Sequence, residues 1–172
     1  MITINQNTNI LSEEDWEFLN QKCENFNASQ SPVLHGDYLN YFYREFIDLN
    51  DKRATNIIKN SESFLRNELD NNSLQLSGMW INRIDINSNK DDDFHHDITA
   101  ATLVIYLNDD FEGGEFEYVD DNKKNIKLFP KKNLTLAMNN KLYHRVLPVT
   151  SGVRYSLISF FNLKDKKIKT LI

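Results

Sequence analysis

The chain has 172 residues, of which 40% are hydrophobic and 12% aromatic, and its formal net charge is −5. This composition excludes a disordered chain, and the length predicts a single domain over residues 1–172. No apolar run could cross a bilayer and no basic stripe is present, so we expect no membrane span and disfavour nucleic acid as a partner. The one cysteine, Cys23, excludes an internal disulfide and predicts a cytoplasmic protein.

The first 73 residues are predicted to be mainly helical. Ser12 is a candidate N-cap for a helix over residues 12–26, because acidic residues follow it in the first turn. Residues 36–50 and 53–69 predict two more helices, each with an apolar face.

After residue 73 the pattern changes to short apolar or alternating segments, which are typical of strands. The predicted strands cover residues 74–86, 99–108, 114–119, 126–129, 134–138, 144–149 and 154–162. So many short strands separated by turn signals indicate an antiparallel sandwich or barrel. The fold class is therefore α+β, with the N-terminal helices bracing one sheet and residues 164–172 forming a solvated tail.

A histidine–aspartate pair stands directly before the predicted strand 99–108. Alternate side chains of an extended chain share a face, so His95 and Asp97 point the same way and His96 points the other way. His144, which begins another predicted strand, could complete the set. Two histidines and a carboxylate on one side of a metal form the facial triad of non-haem Fe(II) oxygenases. An isolated His-x-Asp pair is more often a surface ion pair.

Arg154 comes ten residues after His144. The Thr-Ser-Gly between them is a turn signal, which predicts that the strands begun by His144 and Arg154 run antiparallel and share one cavity. A buried guanidinium needs an anionic partner, and its fork matches a carboxylate. The competing interpretation is an arginine paired with one of the many acidic side chains.

These segments resemble the Fe(II)/2-oxoglutarate dioxygenases of the prolyl 4-hydroxylase type. Beyond His95-x-Asp97, His144 and Arg154, the segment YLNDDFEGGEFEY is similar to the family's Tyr-Leu-Asn and Gly-Gly-Glu segment. HRVLPVTSGVRYSL is similar to its His-x-Val-x-Pro-Val-x-x-Gly-x-Arg segment. FHHDITAATLVIYLN also resembles the equivalent stretch of collagen lysyl hydroxylases, where a doubled histidine precedes the aspartate.

The resemblance implies a double-stranded β-helix (jelly roll) over residues 74–163. It also implies an enzyme that hydroxylates an aliphatic C–H group, most simply of a prolyl or lysyl residue in a peptide or protein, with release of succinate and CO2. The implied cofactors are Fe(II), 2-oxoglutarate and O2, with ascorbate as a candidate reductant.

Residue by residue, the resemblance implies that His95, Asp97 and His144 bind the iron. Arg154 would hold the distal carboxylate of 2-oxoglutarate, and Tyr106 would donate a hydrogen bond to the same carboxylate. An ordinary core tyrosine is an equally good interpretation of Tyr106. Gly113-Gly114 would form a tight turn, which is a structural role.

One departure from the family pattern concerns the strand before the metal motif, which often supplies a tyrosine to the cosubstrate. Here WINRIDI places Ile84 near that position, and either Asn82 or Arg83 could substitute for the tyrosine. The acidic run 91–93 is expected to be a solvated loop tip, because it lacks the spacing and glycine of an EF-hand.

Three alternatives stay open at this point. A zinc hydrolase would use the same ligands, but it would need a base beside the bound water, and the sequence has no His-Glu-x-x-His segment. A non-catalytic jelly-roll binding module is the second alternative, and an oxygenase of small molecules is the third. The acidic loops at 86–94 and 109–113 favour a basic peptide or amine as the substrate.

Overall fold

The computed structural model describes residues 1–26, 32–35, 38–88 and 93–164, with the backbone alone for residues 32–35 and 38–42. Most of the predicted tail at 164–172 and of the acidic run 91–93 lies outside the described residues. The strands are β1 (Ile2–Gln6), β2 (Pro32–His35), β3 (Tyr38–Phe46), β4 (Leu74–Asp85), β5 (Ala101–Tyr106), β6 (Phe111–Gly113), β7 (Phe116–Val119), β8 (Asn125–Leu128), β9 (Leu134–Asn139), β10 (His144–Val146) and β11 (Val149–Leu163).

The strands form two antiparallel sheets. The large sheet has the order β1-β9-β5-β11-β4-β3-β2, with β6 paired to β11, and the small sheet has the order β10-β7-β8. Each of the seven strands predicted after residue 73 overlaps an observed strand, and the predicted α+β class is confirmed. The short strand β6 was not predicted, because its three residues lie in a segment that reads as a turn.

Two helices precede most of the sheet. Helix α1 (Glu13–Glu24) begins with a capping box, in which the Ser12 hydroxyl accepts from the Asp15 backbone N–H and the Asp15 carboxylate accepts from the Ser12 N–H. Helix α2 (Thr55–Glu68) follows a short 3₁₀ turn at Lys52–Ala54. Both agree with the predicted helices at 12–26 and 53–69.

The predicted helix over 36–50 is wrong, because residues 38–46 form strand β3. Its aromatic-rich sequence suits a pleated, half-buried surface, and pairing with β4 decides the outcome. Tyr43 and Glu45 then face one side of the sheet, and Arg44 and Phe46 face the other. The N-terminal part is consequently not mainly helical, since β1, β2 and β3 all join the large sheet. That the whole chain is a single domain stays a prediction.

The helices cover the outer face of the large sheet, as predicted. The main apolar core lies between the helices and the outward-facing side chains of β4, β5 and β11. The helices contribute Phe18, Leu19, Ile57 and Leu65, and the strands contribute Met79, Ile81, Leu103, Ile105, Leu157 and Phe161. Strand β5 is buried on both faces. Its remaining side chains therefore point to the inner face of the large sheet.

A second apolar cluster lies on the inner face, between the two sheets. It contains Trp80, Val104, Tyr106, Leu136, Met138 and Ile158 of the large sheet, with Phe116 of the small sheet. Residues that share this inner face are the ones that can enter a common cavity. The cluster thus marks the interior of the jelly roll.

The connection between β10 and β11 differs from the prediction. Thr-Ser-Gly at 150–152 is not a turn but part of β11, where it pairs irregularly with β6. Gly152 has a φ of +75°, which lets the strand continue through this irregularity. Strand β10 pairs with β7 in the small sheet, so the predicted antiparallel pair of the His144 and Arg154 strands is also wrong.

Gly113 and Gly114 form the tight turn predicted for them, with φ values of +74° and +65°. A Cβ atom on Gly114 would lie 2.9 Å from Val149 Cγ2 and 3.1 Å from Arg154 Cδ. Gly114 therefore also makes room for the arginine side chain.

Replacing Gly114 with alanine is expected to lower the free energy of unfolding by about 1–3 kcal/mol, because a left-handed backbone and two close contacts are imposed on a β-carbon. Urea unfolding measures the change. Gly78→Ala is the control, since its Cβ would meet only Trp80 Cζ3 at 3.5 Å. Equal losses in the two variants would contradict the expectation.

Candidate metal centre

His95 and His144 lie opposite each other on neighbouring backbone segments. The His95 N–H donates to the His144 carbonyl at 2.8 Å and the His144 N–H donates to the His95 carbonyl at 3.0 Å. Their ring centroids are 4.6 Å apart. This isolated antiparallel bridge links two residues 49 positions apart in the chain and places both imidazoles on one side.

Asp97 completes the group. One ligand atom from each of His95, Asp97 and His144 lies within 4.8 Å of the other two. The Thr102 hydroxyl donates a hydrogen bond of 2.5 Å to Asp97 Oδ2 and so orients the carboxylate. The two histidines and the carboxylate are a donor set that suits Fe(II). The sequence analysis missed Thr102, whose strand position carries no motif.

The carbonyl contacts of the two histidines suit metal binding. His95 Nδ1 lies 2.9 Å from the Asp93 carbonyl oxygen, and His144 Nδ1 lies 3.1 Å from the Leu142 carbonyl oxygen. A proton on each Nδ1 would donate to these carbonyls and leave the Nε2 lone pair for a metal. Burial lowers the pKa of His144, although the Asp97 carboxylate opposes this effect. The neutral imidazole, which is the ligating form, is thereby favoured.

His96 does not join the group, in agreement with the prediction. Its side chain is exposed, and its Nδ1 lies 3.1 Å from the carbonyl oxygen of Leu142. Its ring packs against Tyr143 with centroids 4.9 Å apart. His96 therefore has a local structural contact and offers a natural control for the other two histidines.

Arg154 and Tyr106 form a second polar feature of the interior. Arg154 is 2% exposed, and Nε and Nη1 of its guanidinium have no hydrogen-bond partner within the part of the chain that the structure describes. The guanidinium lies over the Tyr106 ring, 4.9 Å from its centroid. Tyr106 is fully buried, and its hydroxyl likewise has no partner among those residues.

Such a group is costly unless an anion binds it, because a buried charge and several buried donors are otherwise uncompensated. Burial also raises the pKa of Tyr106, so its hydroxyl stays protonated and can donate. A carboxylate bound here would receive hydrogen bonds from both side chains. Arg154 and Tyr106 thus fit the distal carboxylate of 2-oxoglutarate.

The two features belong to one interior. Thr102, which contacts Asp97, and Tyr106 alternate with Val104 on the inner face of β5. Phe116 of the small sheet stacks on His144 with centroids 5.1 Å apart and belongs to the same cluster as Tyr106. His144 and Arg154 therefore face one interior from the two sheets, and not from one strand pair as predicted.

The position opposite Arg154 on β4 is occupied by Ile84. Arg83 does not substitute for the family's tyrosine, because its side chain faces the outer side of the large sheet and pairs with Asp85 at 2.5 Å. Asn82 faces the interior, where its side-chain oxygen accepts from Trp80 Nε1 at 2.9 Å. Of the two candidates, Asn82 alone lies on the correct face.

The zinc hydrolase alternative gains no free base from Glu117. Glu117 is a buried carboxylate on β7, the strand that pairs with β10. It forms an ion pair of 2.6 Å with Arg145, however, so its charge is already compensated.

No helix in the described residues is long and apolar enough to span a membrane.

Comparisons with known proteins agree with this geometry. The sequence model of the 2OG-Fe(II) oxygenase superfamily matches residues 79–162. A stretch of 73 residues, 40% of this chain, is 40% identical to the procollagen lysyl hydroxylase and glycosyltransferase of Acanthamoeba polyphaga mimivirus. The match covers 8% of that relative, so the chain spans only a small part of its length.

Two solved structures illustrate the likeness of fold. A Pseudomonas putida prolyl-4-hydroxylase is similar with a TM-score of 0.70 and 16% identity over 94% of this chain and 92% of that chain. A prolyl hydroxylase of Trichoplax adhaerens, solved with a hypoxia inducible factor oxygen degradation domain peptide fragment, has a TM-score of 0.70 and 14% identity, over 95% of this chain and 84% of that one. At these identities the likeness concerns the fold.

The jelly-roll fold is combined here with a His-Asp-His group and a buried arginine. This combination defines the class of Fe(II)- and 2-oxoglutarate-dependent oxygenases, which use these two cofactors and O2. Residues 79–162 match the domain of this superfamily. The resemblance drawn from the sequence is thus confirmed.

Proposed function

We propose that the protein hydroxylates an aliphatic C–H group of a prolyl or lysyl residue in a peptide or protein, and that it releases succinate and CO2. His95, Asp97 and His144 hold Fe(II), and Arg154 with Tyr106 holds the distal carboxylate of 2-oxoglutarate. When bound, iron and 2-oxoglutarate together activate dioxygen for the attack on the C–H bond. The protein supplies the ligand geometry, a dry interior and the position of the substrate.

The observation that carries this proposal is the buried guanidinium of Arg154. A purely structural arginine would have an acidic partner, and among the described residues Arg154 forms no ion pair. Its unpartnered donors face the same interior as a group of three metal-ligating side chains. A dicarboxylate that also chelates the metal satisfies both requirements at once.

Support for a peptide substrate comes from the relatives and from local charge. The relatives named above include a procollagen lysyl hydroxylase and a prolyl hydroxylase solved with a peptide. Asp109, Asp110 and Glu112 place negative charge on the loop that leads into Gly113-Gly114. An acidic loop attracts a basic peptide or amine more strongly than a nucleic acid.

A reducing cytoplasm, in which Fe(II) and the Cys23 thiol persist, is the proposed location.

The chelate itself provides the first test. Adding Fe(II) and 2-oxoglutarate to the protein without oxygen should produce the weak visible charge-transfer band of a bound iron–oxoacid chelate. A colourless mixture would count against the proposal. Incubation of peptide libraries with O2, followed by mass spectrometry for one added oxygen atom, then identifies the substrate.

Among the alternatives, the non-catalytic binding module is the one that succinate formation tests. Such a module would bind peptides but would form no succinate when Fe(II), 2-oxoglutarate and O2 are supplied. Succinate that appears with the full set of cofactors, and disappears when iron is chelated, excludes this alternative.

Tyr106→Phe removes one hydrogen bond from the proposed carboxylate site and leaves the ring in place. Loss of a donor to a charged group costs about 1.5–3 kcal/mol, so the half-saturating 2-oxoglutarate concentration should rise about 10- to 100-fold. Titration of succinate formation against 2-oxoglutarate measures the effect. Tyr143→Phe, on an exposed tyrosine, is the matched control. An unchanged requirement in Tyr106→Phe would make Tyr106 an ordinary core residue.

A further inference from the structure

The inner face of the large sheet is exposed at Phe46, near the end of β3. On β5 and β9 the inward side chains Val104, Leu136 and Met138 are all at most 5% exposed. On β3, by contrast, the inward-facing Phe46 is 62% exposed and packs on Trp80 of β4 with ring centroids 5.8 Å apart. A substrate can therefore approach the interior from the β3 side.

Arg44 is the charged side chain of this open part. It lies opposite Asn82, one inward position along from the Phe46–Trp80 pair. Its guanidinium lies over the Trp80 ring, 4.8 Å from the centroid. Stacking on an aromatic ring holds the plane of a guanidinium while leaving its edge to donate hydrogen bonds.

Arg44 has no anionic partner in the part of the chain that the structure describes. Its Nε is buried without an acceptor, and none of the ion pairs there includes it. Neighbouring Glu45 faces the other side of the sheet, where it pairs with Lys22 at 2.7 Å. Burial lowers the pKa of Arg44, and the Asp97 carboxylate opposes this effect.

We propose that Arg44 binds a carboxylate of the substrate, with Trp80 and Phe46 packing against the adjoining apolar part. This inference rests on the oxygenase chemistry of the proposed function and replaces internal residues of a protein, as the substrate, by molecules with a carboxylate beside the reacting residue. Arg154 is already assigned to 2-oxoglutarate, so a second guanidinium that faces the same interior and has no ion pair among the described residues calls for a second carboxylate. A carboxylate beside the reacting residue comes from a free amino acid or from the C-terminal residue of a peptide.

The acidic loop and Arg44 select different ends of such a substrate. Asp109, Asp110 and Glu112 attract an amine, whereas Arg44 binds an acid group. Lysine, proline and peptides that end in either residue carry both groups. An internal residue of a long protein carries no α-carboxylate and would offer Arg44 no anion.

The test compares acids with their amides. The probes are L-lysine, L-proline and dipeptides that end in lysine or proline, each as the free acid and as the amide. Binding to protein loaded with Fe(II) and 2-oxoglutarate without oxygen is followed through Trp80 fluorescence in a Trp16→Phe background, and probe-dependent succinate formation is measured in parallel. The variants are Arg44→Gln and Arg44→Lys, with Arg53→Gln as the control on an exposed arginine outside the interior.

We expect the unmodified Arg44 protein to prefer at least one acid over its amide by about 10- to 100-fold, as a charged hydrogen bond implies. Arg44→Gln should abolish this ratio, Arg44→Lys should retain part of it, and Arg53→Gln should keep it. The ratio is taken within each variant, so changes in total turnover cancel. Preference for free amino acids over dipeptides, or the reverse, identifies the source of the carboxylate.

The inference is overturned if the unmodified protein prefers no acid over its amide, or if Arg44→Gln keeps the ratio. Failure of the proposed function looks different, because the Arg53→Gln control and the unmodified protein would then form neither the chelate band nor succinate. The two failures are therefore distinguishable.

Discussion

His144→Ala is expected to abolish succinate formation and to remove most of the bound iron. His144 is 6% exposed, and its Nδ1 contact with Leu142 presents Nε2 to the metal. Loss of residues that merely orient a ligand costs about 10- to 100-fold in metal affinity or activity, so loss of the ligand itself should exceed about 100-fold. Iron content and succinate formation are measured on the same preparations.

His96→Ala is the matched control for this experiment, because it removes an exposed imidazole next to His95 in the chain. It should retain iron and turnover. Thermal unfolding of both variants shows whether the fold survives, since His144 also packs on Phe116. A folded His144→Ala protein with normal turnover would remove His144 from the metal centre.

Arg154→Met should raise the 2-oxoglutarate requirement far more than it changes iron binding. Truncating one member of a buried, hydrogen-bonded charge pair costs about 2–5 kcal/mol, so the half-saturating concentration should rise about 30-fold or more. Iron affinity should change little, because the three metal ligands are untouched. Titration with 2-oxoglutarate at saturating iron measures the first quantity, and dialysis against limiting iron measures the second.

The stability of Arg154→Met also distinguishes a ligand-binding arginine from a structural one. Without 2-oxoglutarate, Arg154→Met should be no less stable than the unmodified protein, because an unpaired buried charge is replaced by an apolar side chain of similar length. The stabilisation that 2-oxoglutarate gives the unmodified protein should be lost. Arg83→Met, on the outer face, should keep it. A large loss of stability in Arg154→Met without the ligand would indicate a structural partner.

In the Arg44 proposal, two arginines of this interior bind different carboxylates: Arg154 binds 2-oxoglutarate and Arg44 binds the substrate. Arg154 is enclosed and stacks on Tyr106, which suits a cosubstrate of constant shape. Arg44 stacks on Trp80 beside the exposed Phe46, which suits a substrate that enters and leaves. The substrate class would then be decided on β3, outside the residues that the superfamily match covers.

Much of the candidate site was predictable from the sequence because its signals are local. The period of two residues along an extended chain places His95 and Asp97 on one face and His96 on the other. The same alternation places Tyr106 on the inner face of β5 with Thr102, although it does not reveal the hydrogen bond from Thr102 to Asp97. The two glycines at 113–114 indicate a left-handed turn because other residues rarely adopt it.

Only the tertiary structure decided which segments meet. Residues 38–46 have aromatic side chains at both helical and strand spacings, and pairing with β4 made them a strand. Only this strand pairing placed Arg44 over Trp80. His144 and Arg154 face one interior from different sheets, not from one strand pair. Spacing along a chain determines the direction of neighbouring side chains, whereas strand pairing depends on burial and hydrogen bonding between distant segments, which no local pattern records.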